Sequence, residues 1–246
     1  MLAPTLFISH GSPMFALEPG RIGPRLARIG RGLDGLRAIL VMSPHWQTQG
    51  LRVGGSPMPP TLHDFGGFPA PLYALRYPAP GDPALAIEVQ HMLSDAGLDA
   101  MIDAQRGLDH GAWVPLLHLR PEADLPVLQV SMPHDLDTAG ALALGRALAP
   151  LRELGVLVVG SGSLTHNLGE LRQRIEDPGY AAAFAGWVAD AVARGDTAAL
   201  VDYRTRAPHA VSLRDAHLDR SGYYALGRPD AARNGHPRER QLDFFG

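Results

Sequence analysis

Four short apolar runs, Leu6 to Ser9, Ala38 to Ser43, Leu125 to Ser131 and Val156 to Gly160, do most to restrict the folds open to this chain. Each has the length of a strand and closes on Ser or Gly, and none shows strict polar–apolar alternation, so a sheet built from them is buried on both faces. Such a sheet needs helices on each side. Helical periodicity supplies them at Pro83 to Ala96, where a proline suits the first turn, at Thr138 to Leu154 and at Tyr180 to Arg194. The expected fold class is therefore α/β: a single domain over residues 1–246 with a central, mostly parallel or mixed sheet and helices on both faces. An apolar share of 46% against 19% charged is enough for one sizeable core.

The charge balance and the missing residue types narrow function. A formal net charge of -3 gives no electrostatic footprint for nucleic acid or an anionic membrane, so a small molecule is the expected partner. The opening MLAPTLFISHGSP does not read as a signal peptide and no apolar run reaches membrane-spanning length, which makes a cytoplasmic location the expectation. With no cysteine, a disulfide framework, a thiolate zinc site and a cysteine nucleophile are all excluded. Imidazole and carboxylate must carry any metal. Glycine and proline concentrate between Gly54 and Pro83 and again after Arg204, marking long irregular loops of the kind that tend to be functional.

Among 11 histidines, three share one placement. His10 follows LFIS, His45 follows AILVMSP and His166 follows VLVVGSGSLT, each just past the carboxyl end of an expected strand. In open α/β sheets that edge is where loops converge and ligands bind. Small residues flank all three, as where backbone approaches a ligand closely. His110, in GLDHGAW, precedes an expected helix Val114 to Leu119 that Asp109 is placed to cap. His63, in LHDFGGFP, lies in an aromatic loop suited to roof a pocket, and His217 opens the last apolar segment. His91, His118, His134, His209 and His236 read as ordinary helix or loop residues. Placement alone supports a metal site of unspecified chemistry, with ordinary loop histidines as the plainer reading.

Six separated patterns in order carry a resemblance: His10-Gly11-Ser12-Pro13-Met14, Ser43-Pro44-His45-Trp46, the loop from His63 to Pro69, Tyr77-Pro78-Ala79-Pro80-Gly81, Asp109-His110-Gly111 and Ser161 to Asn167. Together they resemble the DOPA-dioxygenase-type extradiol enzymes of the class III ring-cleaving superfamily, over roughly residues 5 to 227. The resemblance implies a non-haem Fe(II) enzyme that opens a catechol ring with dioxygen. It implies His10, His45 and His217 as metal ligands, His166 as acid/base, and His110 as a second catalytic histidine. His63, Trp46, Phe65 and Phe68 are the expected substrate walls. The segment after His217 departs from the family pattern, ending in a short polar tail, and Asp215 stands as the alternative ligand. Zn(II) fits the same donors, so a zinc hydrolase and a non-catalytic binding protein on the same fold are the competing readings. Oligomeric state is not legible.

Overall fold

In the computed structural model, which describes residues 2–165 and 179–210 of the chain, six strands form one mixed sheet in the order β1-β6-β2-β5-β3-β4. The strands are β1 (Thr5–Ser9), β2 (Ala38–Thr48), β3 (Leu51–Gly54), β4 (Ala100–Asp103), β5 (Val127–Pro133) and β6 (Val156–Gly162). Pairing is parallel from β1 through β6 and β2 to β5; β3 meets β5 antiparallel and carries β4 parallel on its far side. The four expected strands thus form the continuous parallel run β1-β6-β2-β5. The two unforeseen ones are four residues each and extend it at one edge.

Side-chain alternation explains the layers. Along β2, Ala38, Leu40 and Met42 enter one apolar core while Ile39 and Val41 enter a second; along β6, Val156 and Val158 part from Leu157 and Val159 in the same way. The first core is closed by α3 (Pro83–Asp95), α5 (Thr138–Leu148) and α6 (Gly179–Arg194), through Leu85, Val89, Leu144, Leu148, Phe184 and Val188. The second is closed by α1 (Ile22–Arg31) and α4 (His110–Leu119), through Leu26, Trp113 and Leu116, and by the loop helix α2 (Ala70–Ala74) through Leu72. Each of the large side chains in these layers keeps about 1.5–3 kcal/mol of burial free energy out of water. Among the described residues no helix is long and apolar enough to cross a membrane.

Two expectations shift. β2 does not stop at Ser43 but runs to Thr48, with its register against β5 broken between Met42 and Gln47, so His45 sits inside an irregular strand end. Helix α4 begins at His110, one turn before Val114, and Asp109 occupies the capping position without a side-chain cap bond. The cap comes from another segment: the backbone N–H of His110 donates to Asp64 Oδ1 at 2.9 Å.

Candidate metal centre

Because β6 lies between β1 and β2, the residues at the carboxyl ends of these three parallel strands are neighbours. His10 follows β1 directly, its backbone N–H extending the ladder to Gly162 O at 3.0 Å. His45 stands near the end of β2 and Ser161 near the end of β6. The first turn of α4 reaches the same edge, bringing His110. One ring nitrogen from each of His10, His45 and His110 lies within 4.8 Å of the others. His10 and His110 are buried and His45 half-buried.

Hydrogen bonds fix which nitrogen of two of these rings carries the proton. Ser161 Oγ donates to the Gly111 carbonyl, so it can only accept from His10 Nδ1, which lies 2.8 Å away. His10 is therefore an Nδ1–H tautomer, and its Nε2 lone pair faces His45 Nε2 at 3.2 Å. His110 Nδ1 lies 3.0 Å from Asp64 Oδ2, a carboxylate oxygen that only accepts, so Nδ1 carries a proton and in the neutral ring the lone pair is on Nε2. Burial pushes the Asp64 carboxyl up, but its hydrogen bonds with His110 and the attraction between them outweigh this and hold it below the usual carboxylate range. Such oxygen partners on the outer ring nitrogen are what orient imidazoles around a metal.

The donor set fits a metal ion. A separation of 3.2 Å between His10 Nε2 and His45 Nε2 is what two nitrogens show when both bind one ion at about 2.1 Å and roughly 100° apart. Imidazoles without thiolate suit iron and zinc alike.

A buried polar cluster backs the centre. Asp109, fully enclosed, accepts from Ser43 Oγ at 2.7 Å, from Arg106 at 2.6 Å and from Gln129 Nε2 at 2.8 Å. Ser43 Oγ in turn accepts from the backbone N–H of His45 at 3.3 Å. Gly111 is required here: a Cβ on it would stand 2.3 Å from Ser43 Oγ and 3.0 Å from His45 Cδ2.

The expected substrate walls divide. Phe65 lies 5.7 Å from the His110 ring, edge to face, and so borders the histidine cluster on the loop side, with Phe68 packed behind it 5.4 Å away. His63 fastens that loop, its Nε2 donating to Leu75 O at 3.1 Å and its ring packing against Phe65, Tyr73 and Trp113. Trp46 is buried, with the Arg106 guanidinium 4.7 Å above its ring. His166, His217 and Asp215 lie outside the described residues. Asp64, Ser43 and Ser161 were not singled out in the sequence; the adjacency of Asp64 to His63 and the small-residue run around Ser161 were the available signals.

The family described as the catalytic LigB subunit of aromatic ring-opening dioxygenase matches residues 4–218. The 4,5-DOPA dioxygenase extradiol of Beta vulgaris is 41% identical over 210 residues, which take in 83% of this chain and 78% of that protein. The protein of the same name from Escherichia coli K12 is 43% identical over 166 residues, 67% of this chain and 60% of its own length. The crystal structure of an uncharacterized protein from Escherichia coli K12 is similar with a TM-score of 0.76 at 30% identity, covering 94% of this chain and 91% of that one. Likeness this extensive in both sequence and fold settles the lineage, and the chain belongs to the family of catalytic LigB subunits of aromatic ring-opening dioxygenases.

Proposed function

We propose that the chain opens the ring of a catechol with dioxygen by extradiol cleavage at a single Fe(II) ion held by His10 and His45. The carrying observation is the cluster of His10, His45 and His110, two of them locked by Ser161 and Asp64 in tautomers that turn Nε2 lone pairs inward. Relatives named 4,5-DOPA dioxygenase extradiol support the reaction class. The third ligand, by resemblance, is His217, and the acid/base is His166.

Bound ferrous iron would supply open positions for two adjacent catechol oxygens and for dioxygen, and the means of passing electrons between them. The rest of the work falls to side chains. Phe65 and Phe68 offer apolar faces to an aromatic ring entering beside His110. His110, held through Nδ1 by Asp64, offers Nε2 to a proton from a catechol hydroxyl, and Asp64 stabilises the imidazolium that results. Burial of His10 and His110 keeps bulk water from the inner side of the cluster.

The test is anaerobic loading with Fe(II), then oxygen uptake and product absorbance over a panel of catechols, DOPA included. Oxygen consumption matched by a ring-opened, yellow semialdehyde is expected. Iron that binds stoichiometrically while every catechol is returned intact would overturn the reading.

A further inference from the structure

Helix α4 contains a proline in its interior, Pro115, at a buried position. An interior proline removes one hydrogen bond of the helical ladder and pushes against the carbonyl four residues earlier. That carbonyl belongs to Gly111, and it is the one that accepts the Ser161 hydroxyl. The coincidence has chemical content. In an uninterrupted helix the N–H of residue 115 would donate to Gly111 O and draw it along the helix axis. Here no such donor exists, the oxygen is left to Ser161, and Ser161, committed as a donor, accepts from His10 Nδ1.

We propose that Pro115 is a positioning residue for the metal centre: by withholding a backbone donor from Gly111 it sets the direction of the Ser161 hydroxyl, and through it the tautomer of His10. Gly111 serves the same chain from its other side, since its missing Cβ lets the first turn of α4 close on Ser43 and His45. A residue costly to its own helix thus stays because the carbonyl it releases is used elsewhere. The inference rests on the reading of His10 as a ligand, and its test separates the two.

Pro115→Ala and Pro115→Val both restore the N–H, one losing and the other keeping the bulk of the ring; Ser161→Ala removes the relay and His10→Ala the proposed ligand. In metal-free protein, ¹⁵N signals of the histidine rings report the His10 tautomer, and anaerobic Co(II) titration reports the centre. Both Pro115 variants and Ser161→Ala are expected to move His10 toward a mixture of tautomers and to weaken Co(II) binding about tenfold, the lower end for lost outer partners of metal-bound histidines. A purely structural proline would alter the melting temperature while leaving the tautomer unchanged, and that result in either folded Pro115 variant would overturn the proposal. If His10→Ala binds Co(II) as the wild type does, the ligand assignment fails instead, and the ¹⁵N signal still decides the role of Pro115.

Discussion

Asp64 holds His110 by two bonds at once, Oδ1 accepting the backbone N–H at 2.9 Å and Oδ2 the ring Nδ1–H at 3.0 Å. One carboxylate thereby caps helix α4 and sets the tautomer of the histidine that begins it. The two functions separate in Asp64→Asn. The amide oxygen can still cap the helix, but the amide nitrogen cannot accept from Nδ1, so His110 turns to the tautomer protonated at Nε2 and loses its inward lone pair. We expect kcat to fall by about 10–100-fold, with the protein folded and its bound metal retained. Steady-state oxygen uptake checks this; an unchanged kcat would remove His110 from the proton path.

Gly111→Ala tests how tightly α4 closes on β2. Glycine to alanine within a helix ordinarily stabilises by up to about 1 kcal/mol. At this position the new methyl would stand 2.3 Å from Ser43 Oγ, 3.0 Å from His45 Cδ2 and 3.2 Å from Asp109 Oδ1. Overpacking of that kind costs about 1–3 kcal/mol and reverses the sign. Urea unfolding of the metal-free protein decides between them, and a stabilised variant would show that the contact relaxes freely.

Loading the centre should be visible in stability. A metal that binds only the folded chain stabilises it by about 2.7 kcal/mol at a free concentration a hundredfold above Kd. For a chain of this size that corresponds to a rise of roughly 5–10 °C in melting temperature. Calorimetry with Fe(II) under anaerobic conditions, or with Co(II), should show the rise and a chelator should reverse it; in His45→Ala the rise should be absent.

The parallel centre of the sheet was legible because its strands are apolar on both faces, a pattern loops do not imitate. β3 and β4 were not, since four residues such as Ala100–Asp103, half-exposed at an edge, leave no period to read. Helix α1 was hidden by Gly23, Pro24 and Gly30, of which Gly30 is needed for a close approach to the Leu119 carbonyl. At the site, His10 and His45 followed from their places at strand ends, and His110 from its motif. The residues that hydrogen-bond to them did not: Asp64, Ser161 and Ser43 act from 46, 151 and 2 residues away, and side-chain hydrogen bonding has no sequence period. Asp109 shows the same limit. It reads as a helix cap, yet its carboxylate turns inward because Arg106, Gln129 and Ser43 offer it stronger donors.

That inward turn yields the last prediction. Asp109 is a fully buried charge whose compensation comes from Arg106 at 2.6 Å, with Gln129 and Ser43 filling its remaining acceptor sites. In Asp109→Asn the shape is kept, but an amide now faces donors it cannot satisfy and the guanidinium loses its counter-charge. Breaking one side of a buried pair typically costs about 3–5 kcal/mol. Arg106→Lys should cost less than this, since an ammonium can still meet the carboxylate as a point charge. It gives up the planar cover over Trp46, 4.7 Å below the guanidinium, so Trp46 fluorescence should shift toward that of a wetter indole. Denaturant unfolding of both variants ranks them, and an Asp109→Asn protein within about 1 kcal/mol of wild type would mean that the pair does not hold Ser43 and the end of β2 in place.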